Sequence, residues 1–207
     1  MTKRRVVAWM LIGCAILLGG CGAARPIQYY QLTVPGDMAA TDANAYPITL
    51  LVGPLMASHL YREEYIVYSA GGETMGTYQS HRWAEPPTEM MQEVLFRELR
   101  SSGKYKTVNS LRSSARGDFS VQGRLYDFKE VEGNEMMARV VVEYELRDLK
   151  SGTTVWSHYY SHDEAVGGKD VSAVVAALDR NVQGIVGQVK AGLEGYFAAH
   201  PPPAAGQ

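Results

Sequence analysis

Cys21 is the residue with the clearest chemistry. It ends Leu18-Gly19-Gly20-Cys21, an apolar residue and two small ones in front of a thiol. Upstream lie Lys3, Arg4 and Arg5, then an apolar stretch from Val6 to Leu18. A basic head, an apolar core and small residues before a cut form the layout of an export signal. The apolar stretch is about 20 Å long as a helix, too short for a permanent span, which takes about 20 residues. Only one other cysteine exists, Cys14, inside the same leader. Once residues 1–20 are removed, a modified Cys21 leaves no thiol for a disulfide, a metal or a nucleophile.

Leu18–Cys21 resembles the bacterial lipoprotein box. The resemblance implies cleavage between Gly20 and Cys21, a diacylglycerol on the thiol and an acyl chain on the freed amine. These covalent chains are the only cofactor expected. Each buried methylene contributes about 0.8 kcal/mol, so two or three chains hold a protein at a membrane where one does not. Leu11–Cys14 fits the box locally but leaves only Val6–Met10 as an apolar core. A plain secretory signal or a small membrane anchor is the competing reading. Arg4-Arg5 lacks the flanking residues of twin-arginine export. Glycine rather than aspartate after Cys21 resembles sorting to the outer membrane of diderm bacteria.

Other reactive types are spaced less tellingly. His158 and His162, followed by Asp163-Glu164, would share a helix face, but their surroundings alternate as a strand. Four strand residues span about 13 Å, too far for one metal ion, so surface histidines on a strand are expected and no metal site. Ser69–Gly76 lacks the lysine and spacing of a phosphate loop and reads as a hairpin turn. No GxSxG elbow occurs, and Glu63-Glu64 diverge in direction, as a solvated edge would. Met136-Met137 with Trp156, Tyr159 and Tyr160 offer a lipid-binding groove, against which core or ordinary surface is the stronger reading. No catalytic residue is assigned.

The bulk numbers agree with a binding role. The 207 residues carry 46% hydrophobic and 20% charged side chains, which reads as globular. Loss of three basic residues with the leader moves the formal charge from −2 to about −5, which disfavours nucleic acid as a partner. Thirteen tyrosines and three tryptophans fit strands and a contact surface.

The elements follow from periodicity. Tyr29–Val34 reads as a short strand, and the stretch from Pro35 to Tyr46 as a loop. The apolar run at Ile48 suits a strand buried on both faces, bent or ended at Gly53-Pro54. Tyr65–Ser69 and Gly76–Trp83 flank a turn at Gly71-Gly72. From Pro86-Pro87 a first helix carries Met91, Val94, Leu95 and Leu99 on one face, closed by Gly103. Three long strands follow, joined by turns at 132–134 and 150–152. In the middle one Val140, Val142, Tyr144 and Leu146 alternate with Val141, Glu143, Glu145 and Arg147, giving a dry and a wet side. A second helix runs from a cap at Asp170 to Phe197 with valine and leucine every third or fourth position. Its glycines at 184, 187, 192 and 195 weaken it and allow close approach to the sheet. The expected class is α+β, an antiparallel sheet with two main helices packed on one face. The expected divisions are a signal peptide over 1–20, an anchored segment over 21–46, a domain over 47–199 and a disordered tail over 200–207.

Tyr29–Leu32, Leu51–Leu55 and Ser80–Leu99, an aromatic residue shortly before prolines and an amphipathic helix, resemble the ABC-type transport auxiliary lipoproteins, the PqiC-like family. So does a final tryptophan-bearing strand ahead of a long helix. The resemblance implies an auxiliary subunit on the inner leaflet of the outer membrane, facing the periplasm. Such a subunit docks the MCE-domain protein of a system that moves phospholipid or other apolar molecules, as a homo-oligomer, while a separate ATPase hydrolyses ATP. A lipoprotein supporting an outer-membrane protein or the lipopolysaccharide machinery is the alternative; a secreted hydrolase is disfavoured. Arg82 and Trp83, expected in a loop before the first helix, are the candidate partner contacts.

Overall fold

The computed structural model describes residues 26–36, 42–43, 45–71 and 73–202. The expected leader, the Gly20–Cys21 cleavage site and residues 203–207 lie outside them. The described chain forms strands β1 (Gln28–Tyr30), β2 (Tyr46–Ala57), β3 (Tyr65–Ser69) and β4 (Met75–Trp83), helix α1 (Pro87–Ser101), strands β5 (Tyr105–Ser110), β6 (Phe119–Val131), β7 (Met137–Asp148) and β8 (Thr154–Ala165), and helix α2 (Val171–Ala199). The eight strands make one sheet, and both helices pack against it. The α+β class with two main helices is therefore observed.

The directions of the strands differ in part from an all-antiparallel sheet. β3–β4, β6–β7 and β7–β8 are antiparallel, whereas β1–β4, β2–β5, β2–β6 and β3–β6 are parallel. Tight turns encode only neighbours in sequence. The pairs made across longer connections, including the one through α1, carry no local mark. β6 organises the sheet: β7 follows its whole length on one side, while β2 and then β3 share the other. Gly53-Pro54 bends β2 without ending it, and the register with β6 shifts between Val52 and Leu55.

The turns form as their residues require. Gly152 adopts φ +74° in the β7–β8 hairpin, where Asp148 Oδ1 accepts from the backbone N–H groups of Lys150 at 2.7 Å and Ser151 at 3.2 Å. Asp170 caps α2 by accepting from the N–H of Ala173 at 2.8 Å. Pro87 opens α1 and Gly103, at φ +66°, follows its end.

The core lies between the sheet and the helices. Val140, Val142, Tyr144 and Leu146 of β7 are buried, as are Met91, Val94, Leu95 and Leu99 of α1 and Val174, Leu178, Val182, Ile185, Val189 and Leu193 of α2. The first strand is shorter than the expected Tyr29–Val34. Past Tyr30 the chain leaves the sheet: Leu32 is buried, and Thr33 donates its N–H and hydroxyl to Asp179 of α2 at 2.8 and 2.7 Å. Tertiary contacts with the helix replace the strand ladder there.

Candidate functional site

Arg82 and Trp83 lie at the end of β4 rather than in a loop. Trp83 is completely buried, its ring 5.5 Å from that of Phe128, and its backbone N–H donates to the Glu64 carbonyl at 2.8 Å. It is a core residue; strand alternation turns it towards the interior just before α1 begins. A partner cannot reach it without opening the domain. Arg82 is half-buried, with its guanidinium 4.8 Å above the Tyr65 ring, and it donates to the carbonyls of Tyr78 and His81. Its charge remains near the surface, while part of its donor capacity is used internally.

β8 sets its rings against α2 in a ladder. Trp156, His158, Tyr160 and His162 follow one another at centroid spacings of 5.9, 6.4 and 6.0 Å. The helix descends onto this ladder because Gly192 has no side chain: a Cβ there would sit 2.5 Å from Cζ2 of Trp156. Asn181 fastens the helix across two strands, donating Nδ2 to the carbonyls of Ala138 at 3.0 Å and His162 at 3.1 Å. Glu164 accepts from Arg180 Nε at 2.9 Å, and this bond, ahead of a weaker one from His162, lowers its carboxyl pKa. The histidines thus sit on a strand, as expected, though His158 Nε2 is buried without a partner rather than exposed. Among the described residues no three His, Cys, Asp or Glu side chains cluster as a metal site would require.

The proposed lipid groove is not assembled by the fold. Trp156 and Tyr160 pack on the core under α2, whereas Tyr159 points the other way, 62% exposed and 6.1 Å from Tyr126. On that open face several of the charges have polar partners. Arg139 Nε and Nη2 donate to Asp163 at 2.7 and 2.6 Å, Lys129 approaches Asp127 at 2.8 Å, and the Tyr126 hydroxyl donates to Glu143 at 3.0 Å. The Arg139 fork holds Asp163 below the usual carboxylate range. Such a face has polarity for a specific contact and little net charge for steering.

One polar feature escaped the sequence reading. Glu130 is fully buried on the helix-facing side of β6; Oε2 accepts from the Tyr78 hydroxyl at 2.7 Å and Oε1 has no partner. Burial raises both groups above their ordinary pKa values. The signal was its place two residues after Phe128, on the inward alternation of the strand. At the carboxyl end of α2 a cleft of about 510 Å³ is lined by Ile48, Phe119, Leu149, Lys150, His200 and Pro201, among others. It is large enough for a small ligand or a peptide side chain.

The sequence matches the model of the ABC-type transport auxiliary lipoprotein component over residues 30–190, from the last residue of β1 well into α2. The chain belongs to this family. It is therefore an auxiliary lipoprotein component of a transport system, as its motifs led one to expect. Among solved structures, a Xanthomonas campestris protein has a similar fold, with a TM-score of 0.71 and 19% identity over 84% of this chain and 99% of its own. A second crystal structure, of a protein without a stated role, gives 0.66 and 13% over 82% and 99%. At these identities the likeness concerns the fold alone. No curated protein matches the sequence.

Proposed function

We propose that this protein is a lipid-anchored subunit at the periplasmic side of the outer membrane, where it docks the MCE-domain protein of an ABC transport system for phospholipid or other apolar molecules. Family membership over residues 30–190 carries the proposal. The lipoprotein box at Leu18–Cys21 supports it, with diacylglycerol and an acyl chain on Cys21 after cleavage behind Gly20. In this reading the body acts by contact rather than catalysis, as a homo-oligomer, with Arg82 near the contact and no nucleic acid or metal involved. No helix among the described residues is long and apolar enough to cross a membrane, which is compatible with attachment by acyl chains.

The test is to express the full chain in its own host and purify it in mild detergent. Co-purification of an MCE-domain protein encoded beside it is the expected result, together with a first tryptic peptide made heavier by glyceride and acyl groups. Cross-linking to a β-barrel or to lipopolysaccharide machinery, with no MCE-domain partner, overturns the docking role.

A further inference from the structure

β1 is the part of the described body closest in sequence to the tether, and among the described residues it forms one edge of the sheet, paired only with β4. Ile27 stands six positions after Cys21, a reach of at most about 20 Å. At this edge Ile27 is 50% and Tyr29 62% exposed. Ile27 immediately precedes the strand and Tyr29 lies within it, opposite Arg82 in register. An aliphatic residue and a tyrosine side by side suit the boundary between headgroups and acyl chains. The acyl chains supply the affinity, and the short tether keeps this edge at high effective concentration near the lipid. Two side chains are then enough to orient the body, although they would not hold it alone.

Resting on the reading of Cys21 as lipidated, we propose that the β1 edge lies against the bilayer that carries the anchor, with Ile27 and Tyr29 in the headgroup layer. The opposite edge is β8, five strand spacings or about 24 Å across the sheet. It bears Tyr159, an equally exposed tyrosine. The Tyr30 hydroxyl lies 3.4 Å from Ser172 Oγ in the first turn of α2. Leu149 lines the cleft at the other end of that 29-residue helix, about 43 Å along its axis. These two positions stay in water.

The experiment uses the lipidated protein in phosphatidylethanolamine–phosphatidylglycerol vesicles with nitroxide headgroups. With Cys21 acylated, Ile27→Cys, Tyr29→Cys, Leu149→Cys and Tyr159→Cys each offer one thiol for an environment-sensitive dye, and all four sites are exposed enough to leave folding intact. Dyes at 27 and 29 are expected to shift to the blue and to be quenched several-fold more than dyes at 149 and 159. Adding Tyr29→Glu to Ile27→Cys is expected to reduce the quenching while the protein still floats with the vesicles. Equal quenching at 29 and 159 in a protein that floats overturns the orientation and leaves the anchor intact. Failure of the wild type to float overturns both.

Discussion

On β7 the same backbone serves two environments. Val140, Val142, Tyr144 and Leu146 meet the helices and are buried, whereas Arg139, Glu143, Glu145 and Arg147 stand between them on the open side. The covered face is joined by packing and by one close helix approach; the open face is joined by charge pairs that water also reaches. Contacts on the first face carry stability, while those on the second are part-exposed pairs that contribute little to it. Mutations that respect or violate this division test it, since the effects differ in size and in their dependence on pH.

The largest loss is expected at Trp83. Trp83→Ala removes a fully buried ring beside Phe128 and is expected to cost about 3–5 kcal/mol, read as a fall in Tm of roughly 10 °C or more. A loss below about 1 kcal/mol would return Trp83 to the surface and break the comparison. Next come two helix glycines that look alike in sequence. Gly187→Ala meets nothing within 4 Å and should stabilise the domain by up to about 1 kcal/mol through helix propensity. Gly192→Ala drives a methyl into Trp156 and should destabilise by about 1–3 kcal/mol despite the same propensity gain. Equal shifts of the two melting curves would show that α2 does not press on β8.

Glu130 sharpens the division through pH. Its folded pKa is raised by burial, so the native state holds a proton that the unfolded chain releases. Its contribution is fullest below the ordinary carboxylate pKa and is lost as pH rises towards the folded value. Glu130→Gln keeps an acceptor for Tyr78 and removes the buried acid. The variant should melt a few degrees above wild type at neutral pH, with the gap closing towards about pH 4. A gap that is constant with pH would refute the assignment. Asp163 has the opposite sign. Arg139 lowers its pKa, so the stability it brings is present above the unfolded value and is lost as pH falls through the folded one. Asp163→Asn should cost under about 1 kcal/mol at neutral pH, the usual size for a part-exposed pair, and nothing in strong acid. A larger cost would mean that the open face supports the fold as the covered face does.

Much of the covered face was legible before the fold was known. The alternation along 140–147, the apolar stripe of the last helix, the cap at Asp170 and the prolines opening the first helix all depend on neighbours within a turn or two. Gly192 was legible only as a weakness of the helix. That it admits Trp156 depends on a strand more than thirty residues away. Trp83 misled for a related reason: the alternation already ends a strand at it, but only pairing with β1 and β3 decides that its ring faces the core and not a partner. Glu130 sits where the pattern asks for an apolar residue, and Tyr78, which satisfies one of its oxygens, comes from a different hairpin. The interaction site was least legible, because a docking surface is composed of ordinary side chains with no reaction to constrain their spacing.

By itself the sequence determined the element types, the two-sided character of the long strands, the lipoprotein box and the family resemblance. Each is written in residues close in the chain, through periodicity, capping or a short motif. The tertiary structure alone decided which strands run parallel, that β6 joins both halves of the sheet, and that Gly192 of α2 comes down on Trp156 of β8. Those outcomes depend on contacts between residues far apart in the chain, and no local free energy distinguishes them until the core has closed.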